Sequence, residues 1–155
     1  GELHVTPGFF FDETAFHFKL SAGEAWENEP DKLPDYEKFY LGGIGSLRGF
    51  PSRSIGVTTE VGGITYIIGG KIMWYTNVEY LFPIVKAGGL RGVVFYDAGN
   101  VYDDRWDAND IKQDVGAGIR WLSPMGPMRL EWAYVINPLP GEDTSNWEFS
   151  MGGGF

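Results

Sequence analysis

Met128-Arg129-Leu130-Glu131-Trp132-Ala133-Tyr134-Val135-Ile136 changes character at every second residue. One phase, Met128, Leu130, Trp132, Tyr134 and Ile136, carries no charge, while the other holds Arg129 and Glu131. A repeat of two is the repeat of a β-strand, whose side chains point to alternate faces, and helical spacing is absent. The same reading predicts strands at Phe16–Trp26, Lys71–Phe82, Leu90–Tyr102, Asp114–Leu122 and Trp147–Phe155, with a short one near Glu2–Phe10 broken at Pro7-Gly8. In each, the uncharged phase is apolar: Phe16, Phe18, Leu20, Ala22; Ile72, Trp74, Val78, Tyr80, Phe82; Leu90, Val94, Tyr96, Ala98; Val115, Ala117, Ile119, Trp121. The opposite phase carries His17, Lys19, Asn77, Glu79, Arg91, Asp97, Asp114, Arg120 and Glu148.

Such a sheet suits either a soluble sandwich, with its apolar face packed inward, or a membrane wall, with its apolar face toward lipid. The predicted strands run to about nine to thirteen residues, the length that crosses a bilayer at a tilt and longer than the usual five or six of soluble sheets. Aromatic residues on the apolar phase, among them Trp74, Tyr80, Phe82, Trp121, Trp132, Tyr134, Trp147 and Phe155, crowd toward strand ends, where amphipathic rings settle at a membrane interface. Glycines at 92, 116, 118, 152 and 154 would leave a sandwich core underfilled but suit a wide barrel wall. The balance therefore falls on a membrane barrel.

Composition agrees with that balance. Aromatic residues make up 16 % and hydrophobic residues 43 % of the chain, yet mean hydropathy is only −0.17, as expected when apolar side chains alternate with polar ones. No window approaches the ~18 apolar residues of a membrane helix. A net charge of −9 argues against a nucleic-acid partner. The absence of cysteine excludes disulfides and thiolate metal sites. No signal peptide stands at Gly1, so the sequence reads as mature or as cut from something larger.

Short and long connections alternate. Residues 83–89 and 123–127 are short turns, whereas 103–112 and 137–146 are longer and acidic, the pattern of an outer-membrane barrel with tight periplasmic turns and external loops. By that count the stretch 27–70 is external, and its roughly forty residues are too many for a passive connector. It contains Tyr40-Leu41-Gly42-Gly43-Ile44-Gly45-Ser46-Leu47-Arg48-Gly49-Phe50, one arginine among glycines with an aromatic behind it.

That stretch resembles the Gly-Gly…Arg-Gly-aromatic motif of the BamA/TamA superfamily of outer-membrane assembly barrels. Asn77-Val78-Glu79-Tyr80-Leu81-Phe82-Pro83, Val94-Phe95-Tyr96-Asp97-Ala98-Gly99-Asn100 and Trp121-Leu122-Ser123-Pro124-Met125-Gly126-Pro127 follow in the family's order, so the likeness covers about residues 15 to 155. The resemblance implies an all-β fold: an antiparallel transmembrane β-barrel portion of about six to seven meandering strands, with one long inward-folding extracellular loop. Residues 1–155 read as one C-terminal barrel portion, with 1–13 an unaligned stub, and with the family's periplasmic POTRA repeats and earlier strands absent. An open sheet leaves backbone groups unpaired in lipid. The chain is thus expected to be part of a larger barrel, to self-associate, or to be completed by other segments.

The resemblance also implies roles. The loop motif Leu47, Arg48, Gly49 and Phe50 is expected to fold into the lumen, with Arg48 meeting Asp97 and Glu79 on the wall. If Phe82 faces Leu90 across its turn, those two carboxylates lie about 13 Å apart along the strands. Arg48 would then bond one of them directly, with Asp97 preferred. Trp147, Phe149, Met151, Gly152, Gly153, Gly154 and Phe155 are expected to form a C-terminal recognition strand and a weak seam, glycine contributing few packing contacts.

Catalytic signals are lacking. His4 and His17 have no partners at metal-ligand spacing, Gly-x-Ser-x-Gly does not occur, and Gly42-Gly43-Ile44-Gly45 lacks the Lys-Ser/Thr of a phosphate loop. The acidic pairs Asp103-Asp104 and Glu142-Asp143 read as solvated loop tips. The expectation is a non-enzymatic assembly factor in the outer membrane of a Gram-negative bacterium, without metal or cofactor. Its expected partners are lipid, client outer-membrane proteins and accessory lipoproteins. A translocator of the TamA or two-partner-secretion kind, or a passive pore, is the alternative function.

Overall fold

The computed structural model describes residues 2–5, 8–11, 14–26, 34 and 37–152, the first two segments by backbone alone. The strands are β1 Glu2–Val5, β2 Gly8–Phe11, β3 Thr14–Glu24, β4 Thr58–Val61, β5 Ile64–Ile67, β6 Ile72–Val85, β7 Leu90–Tyr102, β8 Lys112–Ser123, β9 Gly126–Ile136 and β10 Ser145–Met151. All pairings are antiparallel, and the main sheet runs β1-β3-β6-β7-β8-β9-β10, with β2 also on β3. β1 and β2 share one register along β3, from Glu2↔Gly23 to Phe11↔Thr14, so they act as one interrupted strand. The sheet is open, ending in β1 and β2 at one edge and β10 at the other.

Burial decides between wall and sandwich. On β9 the apolar phase is exposed, Leu130 at 39 %, Trp132 at 38 % and Tyr134 at 46 %, while Glu131 is only 1 % exposed. β8 repeats this, with Val115, Ile119 and Trp121 exposed and Asp114 and Arg120 buried. A water-soluble sandwich would show the reverse. A sheet whose apolar face looks outward and whose charges are covered is arranged for lipid. Aromatic pairs cross the outer face between register partners, with ring centroids 4.8 Å apart for Phe16–Tyr80 and 6.5 Å for Trp132–Trp147.

Strand ends shift by one to three residues on most strands, and three departures from the sequence reading bear on the site. β6 does not stop at Phe82 but continues through a bulge at Pro83–Val85, so the first turn shrinks to 86–89. Proline lacks the N–H of a regular ladder and is accommodated at such an irregularity. The register consequently pairs Phe82 with Gly92, Glu79 with Phe95 and Asn77 with Asp97, correcting the Phe82–Leu90 pairing. β10 starts at Ser145 and ends at Met151, before a bend at Gly152 with φ +81. The proposed seam residues Gly153, Gly154 and Phe155 lie outside the described residues. Lastly, the long loop contains the hairpin β4–β5, turned on Gly62 and Gly63 at φ +63 and +80, which the sequence reading had left as loop.

Candidate functional site

The arginine stretch forms a tight double turn inside the curve of the sheet. Leu41 bridges to Ile55, Gly43 N–H donates to the carbonyls of Leu47 and Phe50 at 3.0 and 2.8 Å, and Ser46 Oγ accepts from Gly42 N–H at 2.8 Å. Gly42 and Gly43 hold φ +109 and +87, a conformation other residues adopt only with strain. Leu47 and Phe50 are buried with Leu41, Ile55, Met73, Tyr75, Val101 and Val135, forming an apolar layer toward the loop ends of the strands. A second apolar layer, Ala15, Leu81, Val93, Phe95 and Ala133, lies toward the turn ends. By register Asp97 lies between the two layers, Glu79 and Glu131 are level with the second, and Arg120 and Arg129 lie beyond it toward the turns.

Arg48 is 2 % exposed, and every N–H of its side chain with a described bond meets a carboxylate. Nε and Nη2 grip Asp97 from β7 at 2.7 and 2.6 Å, a bidentate fork, and Nη1 reaches Glu79 from β6 at 2.6 Å and Glu131 from β9 at 3.0 Å. The backbone N–H of Arg48 adds a bond to Asp97 at 3.2 Å. Its guanidinium lies 3.5 Å from the ring centre of Phe95, a cation–π stack strengthened by the burial of both residues. The expectation of direct contact with one carboxylate is corrected here: β6 runs on to Val85 and so pairs Glu79 with Phe95, within two residues of Asp97's level, and a single planar fork spans both.

Behind this contact stands a larger network that the sequence reading missed. Arg120 donates to Glu79 at 2.6 and 3.0 Å and to Glu131 at 2.9 Å, and Arg129 donates to Glu131 at 2.7 Å. Arg48, Arg120 and Arg129 thus face Glu79, Asp97 and Glu131 charge for charge. That balance is required, because an unpaired charge in a covered site costs several kcal/mol, ~3–5 when a partner is removed. Asn77 bonds both Asp97 at 2.8 Å and the Ser46 carbonyl at 2.5 Å, orienting the carboxylate toward the loop. A usable signal existed: Arg120 and Arg129 are cross-strand partners of like charge, stable only with acids between them.

Glycines shape the seat. A Cβ at Gly49 would approach Asp114 Cβ to 2.6 Å, and one at Gly116 would come within 2.3 Å of the Phe95 ring. Gly116 therefore leaves the slot in which Phe95 lies flat against Arg48. Asp114, opposite Asp97 in register, is buried, and its carboxyl oxygens have no hydrogen-bond partner among the described residues. Lys19 of β3 donates to the Gly45 carbonyl at 3.1 Å, and Asn146 of β10 to the Arg48 carbonyl at 3.0 Å. The turn accordingly touches β3, β6, β7, β8, β9 and β10.

Of the C-terminal residues singled out from sequence, Trp147, Phe149 and Met151 project from the outer face, 66, 60 and 59 % exposed, and make no described bond to the arginine. No group of His, Cys, Asp or Glu suited to holding a metal occurs among the described residues.

Comparison with known proteins gives a consistent picture. Residues 5–155 match the Omp85 superfamily domain. The chain is 37 % identical over 142 residues to the outer membrane protein assembly factor BamA of Nitratidesulfovibrio vulgaris, covering 88 % of this chain and 18 % of that protein. It is 31 % identical over 153 residues to BamA of Neisseria meningitidis serogroup B, covering 78 % and 19 %. It is 29 % identical over 145 residues to the chloroplastic outer envelope protein 80 of Arabidopsis thaliana, covering 85 % and 16 %. The chain thus spans less than a fifth of the length of these curated relatives. Among solved structures, BamA from Haemophilus ducreyi lacking POTRA domains 1–3 superimposes with a TM-score of 0.76 at 24 % identity, covering 88 % of this chain and 30 % of that one.

Proposed function

The chain belongs to the Omp85 superfamily, and we propose that it is the C-terminal wall of an outer-membrane assembly barrel that folds and inserts other outer-membrane proteins without covalent chemistry. The protein is an outer-membrane protein, and relatives 37 and 31 % identical are named assembly factors. One observation carries the reading to the residues: Arg48, from the loop, is held by carboxylates on three separate strands, Glu79, Asp97 and Glu131. An external loop locked inside the lumen fixes the curvature of this part of the wall and closes the interior. Work on a client is then left to the strand edge and the lipid around it.

The edge has the chemistry for that work. β10 pairs with β9 only, so its other row of backbone N–H and C=O groups is free among the described residues to pair with an incoming strand. In lipid such unpaired groups cost several kcal/mol each, a driving force for accepting a client strand. Trp147, Phe149 and Met151 would anchor that edge in the bilayer, and accessory lipoproteins would act outside it.

The test is client insertion. Full-length protein in liposomes receives an unfolded outer-membrane client, and the rate at which the client becomes heat-modifiable on gels is followed. Arg48→Ala and Asp97→Lys should each lower that rate at least about tenfold, in line with losing a buried, hydrogen-bonded charge pair. Wild-type rates in both, with the barrel itself folded, would overturn the proposed role of the seated loop.

A further inference from the structure

The arginine side chain reaches β6, β7 and β9 but makes no described bond to β10. The last strand is tied to the motif differently. Asn146 Nδ2 donates to the main-chain carbonyl of Arg48 at 3.0 Å and to Glu148 Oε1 at 2.8 Å. An amide nitrogen has two N–H groups, so both are used, one on the loop and one on β10 itself. Register places Asn146 opposite Ala133, on the lumen face, while Trp147, Phe149 and Met151 point outward and offer the loop nothing.

From this we infer that Asn146 is a positioning residue that couples the order of β10 to the seating of the arginine loop. Three features make the coupling physical. The Arg48 residue is almost fully buried, so its carbonyl has no easy replacement for the Asn146 donor. Among the described residues β10 is held on one side only, by the pairs from Ser145↔Tyr134 to Met151↔Met128. And the carbonyl that Asn146 holds belongs to Arg48 itself, the residue whose guanidinium is locked on Glu79, Asp97 and Glu131. Coupling between sites is reciprocal: whatever a seated loop lends to β10, an ordered β10 returns to the loop. The strand at the sheet's edge among the described residues thereby senses the loop, and a partner that displaces β10 loosens the loop in turn. The coupling holds whether or not the barrel inserts clients.

Amide hydrogen exchange on the full-length protein in lipid nanodiscs tests it, read on peptides covering 145–151 and 42–50. Asn146→Ala should speed exchange of both by roughly five- to tenfold, the order expected for one buried hydrogen bond, while β7 and β8 keep their protection. Asn146→Asp, similar in shape but without the donor, should do the same. Arg48→Ala should also speed exchange in β10, although it deletes no side-chain contact to that strand, and adding Asn146→Ala in that background should change nothing further. Unchanged β10 exchange in Arg48→Ala, or fully additive effects in the double variant, would overturn the inference. Client insertion is not part of the readout, so failure here is separable from failure of the functional proposal.

Discussion

The long loop has two halves that the wall treats in opposite ways. The inner turn, with Leu47, Arg48 and Phe50, is buried, whereas the outer hairpin β4–β5 shows Val61 at 61 %, Ile64 at 57 % and Tyr66 at 50 % exposure. Yet the two are alike in composition: Leu41, Ile44, Leu47 and Phe50 of the inner turn match Val61, Ile64, Tyr66 and Ile67 of the hairpin, and each half carries one full charge, Arg48 and Glu60. Hydrophobicity alone would not have chosen between them. What draws the inner turn in is a matched set of carboxylates on β6, β7 and β9, which need a cation as much as Arg48 needs acids. The hairpin satisfies its own backbone through the pairs from Thr58↔Ile67 to Val61↔Ile64 and asks nothing of the wall.

Three changes probe that contrast, in falling order of effect. Glu131→Gln strips one charge from the acid that Arg48, Arg120 and Arg129 share, leaving an excess of buried guanidinium. It should cost about 3–5 kcal/mol, seen as a lower unfolding temperature on semi-native gels and as new protease cleavage at residues 51–57. Retained stability and protection would mean that the acids do not seat the turn. Gly116→Val fills the slot under Phe95 and tilts that ring off the guanidinium; overpacking of this kind costs about 1–3 kcal/mol. The same gels measure it, and Gly116→Ala should fall between valine and wild type. Val61→Ser with Tyr66→Ser, on the exposed hairpin, should shift stability by no more than about 0.5 kcal/mol. A large loss there would erase the distinction between the halves.

Much of the site could be read before the fold was known, and the gaps have definite causes. Alternation placed Glu79 and Asp97 on one face with Arg120, Arg129 and Glu131, and the glycine-flanked Arg48 stood out in its loop. Reach differs because Pro83 reads as a strand breaker, whereas β6 runs past it through a bulge to Val85, and that extension moves the pairing partner of Phe82 from Leu90 to Gly92. Asn146 carried no signal: the last strand was read from Trp147 onward, and an asparagine at the edge of an acidic loop looks like any turn residue. The hairpin β4–β5 hid for a related reason, its strands being four residues each, too short for a period to declare itself.

Sequence by itself determined that this chain makes long antiparallel strands with one face free of charge, because side-chain alternation is a local property repeated residue by residue. It also marked Arg48 as the loop's unusual group. Strand length and aromatic placement already turned the charge-free face outward; tertiary structure alone decided that one guanidinium meets acids 31, 49 and 83 positions away. Those meetings depend on register, and register is set by the length of turns and by a single bulge. A shift of one residue on a strand turns every side chain to the other face.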